Sequence, residues 1–223
     1  MASSSPPSGL ENKLAPLRQR TIVYIDGFNA YYRIVKGTPY KWLNFAELCR
    51  LLLPQNEILA IKYFTAFVSA RPNDPDIPSR QQIYLRALKT IPNLEIILGQ
   101  FRENQVMLPV VGANPPQFAR VLRTEEKGSD VNLAANLVHD GHLRRYEVAV
   151  VISDDSDLTE PVRIVTQELR LKVGILTSKK RPTRSFLPYA TFYKQIRNGA
   201  LALSQFPSTL SDRNGEFHKP PTW

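Results

Sequence analysis

The chain has 223 residues, 43% of them hydrophobic, and a formal net charge of +9 at pH 7. That length buries a substantial core in one domain with tails, and the positive balance favours a polyanionic partner, nucleic acid being the commonest. The single cysteine, Cys49, excludes an internal disulfide and a thiolate zinc site, and no apolar run is long enough for a membrane span. The Ser/Pro-rich stretch from Met1 to Gly9 carries no signal-peptide pattern, so a reducing cytoplasm is the expected location.

Residues 1–19 read as a flexible leader. Thr21 to Ile25 is β-branched and aromatic, a strand ending on Asp26-Gly27-Phe28-Asn29. A helix starts over Ala30 to Val35 and is interrupted at Gly37-Thr38-Pro39. A second runs from Asn44 to Leu53, with Asn44 as cap, Glu47 at the capping-box position and Pro54 as stop; Cys49 on it is a core residue. Ile58 to Val68 is the second strand, and Ala70 to Ile77, with Pro72, Pro75 and Asn73-Asp74, is a loop. Ser79 to Thr90 is helical and Leu94 to Leu98 is the third strand. From Gln100 to Thr124 no period holds, and Pro109, Pro115 and Pro116 break any long element, so the stretch reads as an insertion covering one rim of a site. Ser129 then caps a helix whose apolar face is Val131, Ala134, Ala135 and Val138 and which Gly141 ends.

Val148 to Ile152 is an uninterrupted apolar run, four of its five residues β-branched, as suits a strand buried on both faces of a parallel sheet. It runs straight into Ser153-Asp154-Asp155-Ser156-Asp157-Leu158. A helix with Pro161 in its first turn follows, then a fifth strand over Leu171 to Leu176. Beyond lie a basic loop, Lys179-Lys180-Arg181 with Arg184, a peripheral strand or docking segment over Leu187 to Ile196, and an irregular tail over 201–223. Alternating strands and helices give a doubly wound α/β fold with strand order 3-2-1-4-5, and the domain spans 20–200. In that order strands 1 and 4 are neighbours at the topological switch, so Asp26 and the acids after the fourth strand share one crevice.

Asp130 joins them from the first turn of its helix, where the helix dipole is expected to keep it ionised. Carboxylates this close repel, by roughly 4 kcal/mol per pair at about 4 Å and a protein-surface dielectric. Oxygen ligands without His or Cys select a hard cation, Mg²⁺ or Mn²⁺, which suits phosphodiester hydrolysis on a basic protein. Each acid also has a plain structural use. Asp26 can cap the turn before Gly27, Asn29 can form a local side-chain turn, Asp130 can be a helix-start charge, Asp157 can cap the following helix and Asp154 can face solvent. Tyr31 and Tyr32 can stack on bases but read as core residues; His139 and His142 read as structural or surface residues.

Tyr24-Ile25-Asp26-Gly27-Phe28-Asn29, Glu126-Lys127-Gly128-Ser129-Asp130-Val131 and Ser153-Asp154-Asp155-Ser156-Asp157-Leu158, in that order and spacing, resemble the motifs of the NYN family within the PIN-like nucleases, in particular the bacterial LabA/DUF88-type branch. The resemblance covers residues 20–200. It implies a PIN-like three-layer α/β/α fold and a Mg²⁺- or Mn²⁺-dependent ribonuclease, with Asp26, Asp130, Asp155 and Asp157 as the metal-site acids and Asn29 beside them. Asp154 stands where the family often has Gly or Asn, so it adds a ligand or crowds the site. RNA phosphates would be gripped by Lys127, Ser153, Lys179, Lys180, Arg181 and Arg184. The expected partner is RNA, with no membrane; self-association into a homo-oligomer stays open. The competing functions are a non-catalytic RNA-binding or regulatory module and a phosphotransfer enzyme using an aspartate nucleophile. Phe28, where a second Asp would be expected, weighs against the last.

Overall fold

Alternation along the central strands sorts their side chains into two apolar layers, and the whole architecture follows from filling both. The computed structural model describes residues 18–223. The leader expected over 1–19 lies outside the described residues except for its last two, of which Gln19 already belongs to a strand. β1 (Gln19–Asp26) enters a single helical turn, α1 (Gly27–Asn29), that continues as a π-helix over Ala30–Val35. α2 (Phe45–Leu52) starts where expected: the Asn44 side chain accepts hydrogen bonds from the backbone N–H groups of Ala46 and Glu47. There follow β2 (Asn56–Thr65), α3 (Ile77–Leu88), β3 (Leu94–Leu98), β4 (Gln100–Pro109), β5 (Phe118–Lys127), α4 (Ser129–His142) and β6 (Val148–Ile152). A single 3₁₀ turn at Ser156–Leu158 leads into α5 (Thr159–Arg163), then β7 (Lys172–Thr177), β8 (Phe192–Gln195), α6 (Asn198–Leu203), β9 (Thr209–Asp212) and β10 (Gly215–His218).

Six strands form one sheet in the order β3-β2-β1-β6-β7-β8, with every neighbouring pair parallel. The expected 3-2-1-4-5 arrangement is thus present, extended by β8 from the Leu187 to Ile196 segment. Val148, Val150 and Ile152 face one layer with Val23, Ile25 and Ile61, covered by Trp42, Leu48 and Cys49 from the α2 side and Leu85 and Leu88 of α3. Ala149 and Val151 face the other with Tyr24, Val173 and Ile175, covered by Leu133 and Leu137 of α4 and Val162 of α5. Cys49 is fully buried, and burial pushes its thiol up to about 12, which makes it inert packing.

Five expectations are corrected. Residues 100–124 are a two-stranded antiparallel ribbon, β4 with β5, in register from Gln100↔Lys127 to Pro109↔Phe118. Its prolines fall at the strand end and in the connection, where they cost no ladder bond. The buried face of α4 is Leu133 and Leu137, whereas Val131 is 70% exposed, and the residue before the helix is Gly128 (φ 98°), with Ser129 its first residue. Gly141 lies inside that helix. The C-terminal stretch is ordered: β9 pairs with β10, Arg86 grips both carboxylate oxygens of Asp212 and its guanidinium lies over Phe217, and Trp42 donates its indole N–H to Pro207 O.

Gly27 shows how tightly the end of β1 is packed, since a Cβ there would stand 2.6 Å from Phe64 O and 2.8 Å from the Tyr63 ring. Gly27→Ala is expected to lower unfolding stability by about 1–3 kcal/mol through overpacking, read as a lower urea midpoint with unchanged slope; an unchanged midpoint would contradict this packing.

Candidate functional site

Parallel pairing sets Ile25 beside Ile152, so the next residues, Asp26 and Ser153, meet at the carboxyl ends of adjacent strands. This is where the strand order reverses, the position at which open α/β sheets form their crevice. Asp26 is 4% exposed. Its Oδ1 accepts the Asn29 N–H at 2.9 Å, closing the α1 turn, and its Oδ2 accepts the Ser153 hydroxyl at 2.9 Å. Burial raises its pKa, the two hydrogen bonds oppose that, and the charges of Asp155 and Glu126 add to it. Asn29 makes no side-chain turn; its Oδ1 accepts the backbone N–H of Asp154 at 3.0 Å and ties the β1 end to the β6 end.

The three acids after β6 divide by direction. Asp154 is buried, not solvent-facing: its carboxylate accepts the hydroxyls of Thr177 and, at 2.6 Å, Ser178, so its charge is bound to the end of β7. Asp155, half-buried, lines the crevice; its N–H donates to Ser153 Oγ at 3.1 Å, and its own Oδ1 accepts the Asp157 N–H at 3.0 Å. The capping expected of Asp157 is therefore made by Asp155, and Asp157 is exposed on the 3₁₀ turn.

Asp130 reaches the same crevice from the first turn of α4. Its carboxyl is pushed from 3.8 up to about 6, chiefly by desolvation, then by the charges of Asp26, Asp155, Glu126 and Asp157. The helix dipole expected to keep it ionised is outweighed: such a dipole contributes about 0.3–1 kcal/mol, less than one close like-charge pair. Glu126 is the acid that sequence reading passed over. It lines the crevice, accepts the Ser129 N–H at 3.0 Å across the Gly128 turn and raises both Asp26 and Asp130. Its signal was visible, an acid three residues before a helix-start serine.

These groups line one cavity of about 820 Å³, within the range of small-ligand sites. Asp26, Asn29, Asp130, Asp155 and Glu126 contribute, whereas Asp157, Ser153, Lys127, Lys179, Lys180, Arg181 and Arg184 are not among its lining residues. Lys179, Lys180 and Arg181 are exposed on the loop after β7, Arg184 begins a short 3₁₀ turn, and Lys127 ends β5. The cations that do line the cavity are Arg33, Lys36, Lys41, Arg71 and Arg80, together with Tyr31 and Tyr32. Tyr31 is partly buried and packs against the core as expected, whereas Tyr32 is 45% exposed and is not the core residue expected. Phe101 and Leu122 of the ribbon form one wall, Phe101 meeting Phe28 edge-on at 5.7 Å between ring centroids.

Among the described residues no three His, Cys, Asp or Glu side chains close into a group able to hold an ion unaided. The donor set still suits one kind of ion. It is all oxygen, and Mg²⁺ keeps several waters while taking only one or two carboxylates, so two of the crevice acids with waters would suffice to hold it. No helix among the described residues is long and apolar enough to cross a membrane.

The chain is similar to known proteins in sequence and in fold. The family model of the NYN domain matches residues 20–194. The 6-hydroxy-3-succinoylpyridine 3-monooxygenase HspA of Pseudomonas putida (strain DSM 28022 / S16) is 29% identical over 245 aligned positions, which cover 96% of this chain and 78% of that protein. A protein of unknown function from Vibrio parahaemolyticus RIMD 2210633 superposes with a TM-score of 0.55 at 13% identity, covering 83% of this chain and 97% of its own, a likeness of fold alone.

A carboxyl with a raised folded-state pKa binds its proton more tightly folded than unfolded, so Asp130 costs stability above pH 6 and the cost is relieved as pH falls toward 3.8. Asp130→Asn is expected to stabilise the fold at pH 7 in EDTA by about 1 kcal/mol, after solvent screening of a half-exposed group. The gain should vanish near pH 4 in urea titrations; a destabilised variant at pH 7 would contradict the repulsion.

Proposed function

The chain belongs to the NYN domain family, and on that premise we propose that it is a ribonuclease hydrolysing RNA phosphodiester bonds with Mg²⁺ or Mn²⁺ held by Asp26, Asp130 and Asp155. The observation that carries the reading is the shared crevice: acids 104 and 129 positions from Asp26, at 130 and 155, line one cavity with it and are coupled electrically. A hard cation bound there supplies a water of lowered pKa and charge stabilisation for the phosphoryl and leaving oxygens. The protein's own part is positioning. Ser153 and the Asn29 N–H hold Asp26 in one orientation, and Asp155 is braced by the backbone of its own turn. Asn29 spends its carbonyl on Asp154, leaving its amide N–H groups to position the attacking water or a phosphate oxygen. Asp157 supports the set from outside by its charge. In hydrolysis the water oxygen joins phosphorus, the ester P–O bond breaks, and the departing oxygen takes up a proton. Lys127, Lys179, Lys180, Arg181 and Arg184 would grip flanking phosphates by charge, which makes binding salt-dependent.

A second reading is favoured by the cavity's aromatic lining and by the relative named for a succinoylpyridine: turnover of a small aromatic acid. It needs the same cavity but no polymer.

Single-stranded and structured RNA, incubated with the purified chain in Mg²⁺ or Mn²⁺, should be cut, and EDTA should stop it. Asp26→Asn and Asp155→Asn should each lower the rate about 100-fold or more, as expected for removal of a charge-stabilising group. Cleavage that persists in both variants would defeat the proposal; salt-sensitive binding indifferent to EDTA, without cleavage, would favour the non-catalytic module.

A further inference from the structure

The cavity that holds the acids also contains a second, oppositely charged neighbourhood. The charges acting on Tyr31 are those of Arg80, Asp74 and Arg71, whereas those acting on Asp130 are the carboxylates of Asp26, Asp155, Glu126 and Asp157. Tyr31 and Tyr32 meet edge-to-face with ring centroids 5.2 Å apart, and Lys36 Nζ lies 4.7 Å over the Tyr32 ring. Arg71 sits on a tight turn closed by its backbone bonds to Asp74, and Arg80 braces that turn by pairing with the Asp74 carboxylate. Arg80 is thereby committed, and Lys41 Nζ donates to Thr222 O. Among the described residues the guanidinium groups of Arg33 and Arg71 make no hydrogen bond or ion pair, although both line the cavity.

Unengaged guanidinium forks that line the same cavity as a pair of aromatic rings suit a particular kind of ligand. The fork matches a carboxylate or phosphate through two parallel hydrogen bonds. The rings offer a stacking surface to a flat heterocycle. We propose that this part of the cavity is a subsite for an aromatic ring carrying an anionic group, with the ring against Tyr31 and Tyr32 and the anion on Arg33 and Arg71. Two sources supply that chemistry, a nucleotide of an RNA strand and a free aromatic acid. The subsite rests on the ribonuclease reading only in so far as the ring is a nucleobase.

Calorimetric titration of the full chain in EDTA separates binding from cleavage. 5′-AMP, p-hydroxybenzoate, inorganic phosphate and phenol are the probes. At least one of the first two should bind about tenfold or more tightly than phosphate or phenol, because only they engage both elements. Arg33→Gln with Arg71→Gln should abolish that advantage, and Tyr32→Ala should weaken it. Arg213→Gln, outside the cavity, should leave it intact. A preference for 5′-AMP assigns the nucleotide source, and a preference for p-hydroxybenzoate assigns the free acid. The proposal is overturned if phosphate or phenol binds as well as both 5′-AMP and p-hydroxybenzoate, if no probe binds at millimolar concentration, or if the double Arg variant binds like the parent chain. Cleavage measured separately in Mg²⁺ keeps the two ideas apart. RNA cutting without ring-anion binding removes the subsite, while binding without cutting removes the ribonuclease.

Discussion

The structure depends on β1 and β6 being parallel neighbours in a fixed register. With Ile25 opposite Ile152, the two strands end together and their following turns open on the same side of the sheet. A slip of one residue would send every alternating side chain to the wrong layer, and the complete burial of Val148 to Ile152 on both faces makes that slip costly. The two turns are then joined by uncharged contacts, Ser153 hydroxyl to Asp26 and Asp154 N–H to Asn29. Neutral donors are what such a site needs, because they fix a carboxylate without cancelling its charge.

Burying acids together at one crevice is unfavourable, and the raised carboxyls of Asp26 and Asp130 register it, first through desolvation and then through the neighbouring carboxylates. The fold counters it at the other end of α4. Asp140 is fully buried there and accepts from Tyr24 of β1 at 2.7 Å, from Lys62 of β2 at 2.6 Å and from Arg145 at 2.8 Å. Burial alone would raise Asp140, but these three partners outweigh it and hold its carboxyl below the usual range. One end of the helix is thus pinned by a carboxylate with a full set of donors. The other presents a carboxylate crowded by its own kind. Removing a single partner from such a buried pair costs about 3–5 kcal/mol, so the helix cannot drift away to relax the repulsion around Asp130.

How much of this was legible in the sequence follows from the range of the forces involved. The apolar run at Val148, the Asn44 cap and the order of the sheet are set by local pattern and by general rules of connection, and they read correctly. So did the meeting of Asp26 and Asp155, which follows from strand order, while Asp130 reaches the same cavity from the first turn of α4. The ribbon over 100–127 was missed because both its faces carry polar and apolar residues, so no single side marks itself as inner. Val131 was placed inward on spacing that Leu133 and Leu137 satisfy better; small residues at 134 and 135 fit either phase. Asp154 and Asp155 are indistinguishable as letters, and only the hydroxyls of Thr177 and Ser178, at the end of a strand more than twenty positions later, decide which one turns away. Arg71 gave no signal at all, because nothing in a proline-rich loop announces that it will line a cavity with a tyrosine pair.

The cavity's two electrical neighbourhoods constrain function more than either does alone. Carboxylates repel a phosphate or a carboxylic acid, so a ligand with one anionic group cannot lie equally well anywhere in the cavity. At the proposed subsite, the guanidinium forks would draw that group to one part and so orient the remainder of the ligand toward the acids. A hard cation among Asp26, Asp130 and Asp155 would reverse the sign locally and let a second anionic oxygen approach. A strand of RNA, with phosphates on either side of each base, satisfies both regions at once when the ion is bound. A free aromatic acid satisfies the basic region and meets the acids only with its ring. On the proposed reading, the polymer would be favoured with the ion bound and the small acid without it, because only the acid region changes sign.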